Sequence, residues 1–543
     1  MNHEAWHSAI PNYDHISDEI NSYQTLVPTD FFSLQTRLEN TLRHFSYTKE
    51  FPKFLLINSP DNALYRTLVK DKLLGLVDDN QPVIHSERID SFSLFGSQHK
   101  DTLSLCEQAH NGFLIVSANA LLSQPKNWLD LKSLLLGYSV PKLIMSHGKV
   151  VDSCEVIESS LQLIIIGDRN QLAELDYFDD DILSGLSLFS EIELDIELTT
   201  NNVKPYFGYI HWLTEHYNLP KLSNEAIPRL LNAGARYTED QAYMPLDIVW
   251  FIGLLSSAKV YLDNSDNLSY SALDSALDNI HYQQSFLPER ALQDITSGQV
   301  LIETKGKQIG QVNGLTVIDM PGHPISYGEP ARISCVVHFG DGDVHDVERK
   351  AELGGNLHAK GMMIMQAFIS SALDLDEPMP FSASIVFEQS YSEVDGDSAS
   401  LAELCSLVSA LSDVPINQEV AVTGAVDQFG RVQAVGGVNE KIEGFYRVCH
   451  HNGLTGNQGI ILPRANLKNL SLHKDVVSSI QAKQFHIWTV ENVDDAVQLI
   501  MNEPFQHETE ESILGKIADR IDNFLDGDAQ DQNWVRKIRN WFF

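Results

Sequence analysis

The sequence predicts a multidomain protein of α/β and α+β class, in which a parallel α/β module and a helical subdomain precede a second, α+β domain. Three observations carry this. The chain has 543 residues, more than one hydrophobic core usually serves. Short apolar runs alternate with helical patterns over 51–203, as in a parallel sheet covered on both faces. The strand signal then vanishes over 204–294 and returns from 295 with a different texture.

The elements follow in order. Residues 1–50 are polar with apolar patches such as Phe31-Phe32, and read as a leader packed on the next domain. Phe54-Leu55-Leu56-Ile57 is a buried-strand run. It leads into Asn58-Ser59-Pro60-Asp61-Asn62, a loop by composition, and then a helix with Leu64, Leu68 and Leu73 apolar. Gly112 to Val116 and Leu161 to Gly167 are further buried strands, with helical stretches between them. Over 204–294 helical spacing takes over, as in Pro245 to Leu262, and Ser269 caps another helix. Val300 to Thr304, Gly310 to Ile318 and Arg332 to His338 then read as strands, and Gly361 to Phe368 as a buried helix. The α+β domain spans 295–503, and 504–543 reads as an acidic linker with an aromatic and basic tail. No internal repeat is visible.

Composition narrows the function. A formal net charge of −36 repels phosphate backbones, so nucleic acid is not an expected partner. No apolar run reaches the ~20 residues of a membrane span, and Met1-Asn2-His3-Glu4 lacks the start of a secretion signal. The five cysteines are scattered without a Cys-x-x-Cys pair, which points to reduced thiols in the cytoplasm and away from structural zinc. The histidines show no metal-ligand spacing, and no metal is expected.

Chemistry concentrates in two segments. In Glu393-Val394-Asp395-Gly396-Asp397-Ser398-Ala399-Ser400, Ser398 follows a glycine turn and opens a helical stretch through Leu411, with Ala402, Cys405, Val408 and Leu411 on its buried face. A serine there can be an N-cap; the same helix start also offers backbone donors to an oxyanion. In Gly436-Gly437-Val438-Asn439-Glu440-Lys441, Lys441 lies early in a helix over Asn439 to His451, whose apolar stripe is Ile442, Phe445 and Cys449. A lysine beside such a stripe can be a snorkelling surface cation. To serve as a base it must instead be desolvated and neutral.

These segments resemble the proteolytic domain of Lon proteases, whose nucleophile lies in a Lys/Pro-Asp-Gly-Pro-Ser-Ala-Gly motif. Asp395-Gly396 and Ser398-Ala399 match it; Val394, Asp397 and Ser400 depart from it. Thr423-Gly424, Gly430, Val432, Gly436-Gly437 and Glu440-Lys441 fit the family's second block, which ends on the catalytic lysine, and Gly459 to Asn466 resembles the strand and turn that follow. The chain is similar in detail to Lon-related proteins of gammaproteobacteria, which share the Asp-Gly-Asp-Ser-Ala-Ser form. The resemblance implies a serine endopeptidase with Ser398 as nucleophile and Lys441 as general base, acting on unfolded proteins or peptides. It implies that Thr423 hydrogen-bonds the lysine amine, against the plain alternative of a buried strand threonine. Asp395 is a candidate for shaping the turn and holding the site electrostatically, against an ordinary Asp-Gly turn. A homo-hexameric ring is also implied.

Lon proteases carry an ATPase of the AAA+ type, and 51–203 with the helical lid of 204–294 looks like one. Its chemistry is missing. Ile57 to Thr67 has neither the glycines nor the lysine of a phosphate loop, and Asp61 adds the wrong charge. The next strand ends Ile115-Val116-Ser117-Ala118, without the Asp-Glu pair that serves magnesium. Asp168-Arg169 and Arg236 stand where a sensor residue and a lid arginine belong, or are ordinary loop and helix residues. The expectation is a degenerate AAA+-like module that does not hydrolyse ATP and needs no cofactor, with weak nucleotide binding left open. In the tail, Trp534, Ile538 and Trp541 fall at helix spacing beside Arg536, Lys537 and Arg539. Such a helix can touch a membrane; folding back onto the acidic surface is favoured. The rival reading of the whole is a non-catalytic chaperone or scaffold that binds unfolded chains. Retention of both Ser398 and Lys441 weighs against it.

Overall fold

Apolar runs flanked by loop-forming residues become the strands of two sheets. The structure, a computed structural model, describes residues 2–48, 51–97, 102–146, 149–183, 185–262, 267–340, 342–373, 381–390, 394–507 and 512–523. The chain divides into two compact units: 25–196 with 200–218, and 219–543 with 1–24 and 197–199.

The first unit holds a five-stranded parallel sheet of β1 (Phe54–Asn58), β2 (Val83–His85), β3 (Phe113–Ser117), β4 (Gln162–Gly167) and β5 (Ser187–Glu191). Its spatial order is β2-β3-β4-β1-β5. All three strands read from the sequence are buried throughout or nearly so. Helix α1 (Ala63–Leu74) follows β1, capped by the Asn62 side chain, and α2 (Arg169–Phe178) follows β4, capped by Asp168.

In the second unit, residues 219–296 supply helices α3 (Ile227–Thr238), α4 (Ile248–Ala258), α5 (Tyr270–Gln284) and α6 (Phe286–Thr296). Helix α4 is shorter than the pattern from Pro245 to Leu262 predicts, because Asp247 caps its start and a 3-10 turn over Lys259–Tyr261 ends it. An eight-stranded mixed sheet follows. Its strands are β6 (Gln311–Ile318), β7 (Tyr327–Phe339), β8 (Val344–Asp346), β9 (Phe381–Glu388), β10 (Val420–Val422), β11 (Gln458–Pro463) and β12 (Phe485–Val490), plus Asn2–His3 at one edge. Asn2–His3 pairs antiparallel with β12, so the first residues of the leader extend this sheet. The predicted strand at Val300 to Thr304 does not form. Side-chain amides satisfy that segment instead: Asn313 donates to the Glu303 carbonyl, Gln458 to that of Thr304, and Leu301 N–H donates to Gln389.

Two helices pack on opposite faces of this sheet. On one side α8 (Ser400–Ser412) is buried with Ile333, Ile385, Phe387, Val422 and Ile461. Helix α7 (Asn356–Ala372) joins it there. On the other side α9 (Val438–His451) packs Ile442, Phe445 and Cys449 against Leu315, Ala421, Ile460 and Leu462. Alternation along β10 decides the split: Ala421 faces one core and Val422 the other. The expected acidic linker is in part a packed helix. Ile513, Ile517 and Ile521 recur every four residues and are buried in the α8 core, while Arg520 caps the carbonyls of Ala410 and Leu411. The predicted tail helix from Trp534 to Trp541 lies outside the described residues. Among the described residues no helix is long and apolar enough to cross a membrane.

Candidate active site

The two segments singled out in the sequence meet at the end of β10. Ser398 sits in the loop before α8, two residues ahead of the helix rather than at its N-cap, which is Ala399. Its carbonyl accepts from Gly424 N–H at 2.9 Å and from the Thr423 hydroxyl at 3.2 Å, which ties the loop to the strand end. Leu401 N–H donates back to the Gly424 carbonyl, and Val426 N–H donates to the Ser400 hydroxyl at 3.0 Å. Ser400, a departure from the family motif, thus pins the following hairpin to the helix.

Lys441 comes from the first turn of α9, on the other face of the sheet. It is 2% exposed, so it is not a snorkelling surface cation. Its Nζ lies 3.0 Å from Ser398 Oγ and donates to Thr423 Oγ1 at 3.2 Å. Burial pushes the amine down to about 8, against the opposing charges of Asp397 and Glu440. Thr423 is also buried and sits one residue past β10. One hydroxyl therefore orients the amine and anchors the serine loop.

Close backbone packing sets this geometry. Gly437 caps α9 at φ +63°, and a Cβ there would lie 2.5 Å from Val317 Cγ2. Gly328 on β7 meets Gly444 on α9, where a Cβ on Gly444 would lie 2.1 Å from the Gly328 carbonyl oxygen. Helix and strand touch backbone to backbone, and any side chain would lever Lys441 away.

Asp395 bonds its own turn: its Oδ1 accepts from Gly396 N–H at 2.9 Å, and its carboxylate lies against Gly355. Two carboxylates act on Lys441: Glu440 of its own helix and Asp397, read in the sequence only as a departure from proline. An acid directly before the nucleophile was the available signal. Sequence reasoning also missed a buried cluster behind α8. His358 on α7 lies 3.2 Å from Asp346 and 3.5 Å from Glu403 on α8. Burial pushes the Glu403 carboxyl up to about 7, with His358 opposing and Asp346 and Glu348 adding to the rise.

In the first unit, Asp61 occupies the crook after β1. Its carboxylate accepts from Arg66 on α1, from Ser117 at the end of β3 at 2.8 Å, and from Gln171 on α2 at 3.1 Å. Asp168 caps α2, and Arg169 pairs with Glu191. Arg236 faces α9, where it forks Glu440 and Glu443 at 2.7 and 2.8 Å. Among the described residues no group of His, Cys, Asp and Glu side chains could hold a metal ion.

Comparison with known proteins adds the following. Residues 387–503 match the Lon protease C-terminal proteolytic domain, and residues 103–190 a LonB-like AAA domain. A protein of Escherichia coli (strain K12), provisionally named a Lon protease homolog, is 38% identical over 99% of this chain and 98% of its own. A second such homolog, from Haemophilus influenzae, is 40% identical over 81% of this chain and 76% of its own. An archaeal Lon protease of Methanocaldococcus jannaschii is 38% identical over 22% of this chain and 16% of its own.

Proposed function

This chain belongs to the Lon protease family, with an AAA-like domain ahead of a Lon proteolytic domain; from that premise we propose that it is a serine endopeptidase using a Ser398–Lys441 dyad on unfolded proteins or peptides. The observation that carries the proposal is the buried Lys441 amine, 3.0 Å from the Ser398 hydroxyl and lowered to about 8. At that value a useful fraction is neutral near pH 7 to 8. A scaffold gains nothing from burying an amine beside a serine, because desolvating it costs stability.

In this mechanism the neutral Nζ takes the hydroxyl proton as Oγ attacks the scissile carbonyl carbon. The ammonium then protonates the leaving amine, and a water, deprotonated by the regenerated amine, hydrolyses the acyl-enzyme. The oxyanion needs N–H donors. Those of Ser400 and Leu401 already bond the carbonyls of Asp397 and Gly424, which leaves the loop N–H groups of Asp397, Ser398 and Ala399 for that work.

Peptide hydrolysis here runs without ATP hydrolysis by the same chain. The residues after β1 do not fit a nucleotide phosphate: the Asp61 carboxylate takes up the donors of Arg66, Ser117 and Gln171 that an anion would need. Substrates are therefore already unfolded or short, and a homo-oligomeric ring encloses the sites. The test is hydrolysis of unfolded casein with and without ATP and magnesium. Cleavage that is indifferent to ATP and absent in Ser398→Ala and Lys441→Ala is expected. ATP-stimulated turnover of a folded substrate would refute the silent ATPase.

A further inference from the structure

Residues 219–294 supply Arg236, which the sequence offered as a lid arginine for nucleotide. The guanidinium is spent elsewhere. It donates to Glu440 at 2.7 Å, to both oxygens of Glu443 at 2.8 and 3.1 Å, and to the Ser471 carbonyl at 3.1 Å. Glu440 and Glu443 lie three residues apart on α9, on either side of Lys441 in sequence. Glu443 also accepts from His473 N–H at 2.9 Å, so the fork fastens α9 to α3 and to the segment before Lys474.

The charges around the base explain why a cation is wanted there. The Lys441 amine faces Asp397 from the serine loop and Glu440 from its own helix, with the neutral oxygens of Ser398 and Thr423 beside it. Both carboxylates favour the ammonium form, which cannot act as a base. Arg236 in turn faces Glu440, Glu443 and Glu239, and Arg447 also acts on Glu443. Burial raises the Glu440 carboxyl and Arg236 opposes that rise, so the two form a charge pair. An ion pair presents a weaker field to a third group than a bare carboxylate does.

We propose that Arg236 is a positioning residue of the peptidase: by forking Glu440 and Glu443 it docks the Lys441 helix and screens Glu440 from the Lys441 amine, keeping that amine available as a base. The helical subdomain thereby completes the proteolytic site. The proposal rests on the Ser398–Lys441 reading.

The experiment follows the rate of Ser398 phosphonylation by a fluorophosphonate across pH 6 to 10 in the full-length protein. In that step Oγ bonds to phosphorus, fluoride leaves, and Lys441 takes the hydroxyl proton. The wild-type rate rises with pH through a midpoint near 8. Arg236→Gln is expected to move the curve to higher pH, slowing labelling about tenfold at pH 7 while converging with wild type by pH 10. Arg236→Lys keeps the wild-type midpoint, and Glu440→Gln added to Arg236→Gln restores it. A loss uniform across pH means docking alone and overturns the proposal, as does an unshifted curve. If Arg236→Gln does not fold, Glu440→Gln alone must leave the midpoint at or below wild type; a midpoint above it overturns the proposal. Failure of the wild type to label at any pH would instead refute the dyad, and the proposal with it.

Discussion

Lys441 is the residue on which the chemistry turns. An ammonium in its position would lose its hydration and gain the neutral hydroxyls of Ser398 and Thr423 as hydrogen-bond partners. Folding therefore lowers its pKa from 10.5 to about 8. Between those values the unfolded chain binds more protons than the folded one, so stability rises with pH across that window and carries its full penalty below pH 8. Lys441→Met should thus abolish hydrolysis yet melt higher at pH 7, by about 1–3 kcal/mol, with the difference gone above pH 11. Thermal melts at the two pH values measure it, and a lower melting temperature at pH 7 would show that the amine is not paying a desolvation cost. The sequence named Ser398, Lys441 and Thr423 because their order and spacing follow a family pattern. It did not tell whether Lys441 is buried, since that depends on Thr423 and Ala421 arriving from β10, nor that Asp397 is the acid beside it.

At the scale of elements, the site depends on two helices from opposite faces meeting at one strand end. Helix α9 sits close enough because Gly437, Gly328 and Gly444 carry no side chains. Gly437→Ala combines a left-handed φ with overlap against Val317, and should destabilise by about 1–3 kcal/mol while lowering kcat. Chemical denaturation beside casein kinetics checks both. The buried strands of the first unit were legible because runs such as Leu163-Ile164-Ile165-Ile166 are short, apolar throughout and rich in β-branched residues. Val300 to Thr304 was misread because Val300 N–H bonds the Asp294 carbonyl and the side-chain amides of Asn313, Gln389 and Gln458, rather than a neighbouring strand, bond Leu301, Glu303 and Thr304. The stripe Ile513, Ile517, Ile521 was hidden by acidic neighbours, since a core needs only every fourth residue.

For the whole molecule, an AAA-like domain precedes a Lon proteolytic domain in the chain, and the Asp61 carboxylate lies in the crook after β1 of the former. A ring assembled without nucleotide follows from the proposed function, and sedimentation velocity in ATP-free buffer should show a six-fold mass; a monomer at micromolar concentration would contradict it. The central claim, that Ser398 is the nucleophile activated by Lys441, has a direct test. The wild-type protein is treated with a fluorophosphonate at pH 8.5, digested, and the adduct mapped by mass spectrometry, beside Lys441→Ala. A single adduct on Ser398, absent from Lys441→Ala, is the predicted result; an adduct on another serine, or equal labelling of Ser398 in both proteins, would contradict it.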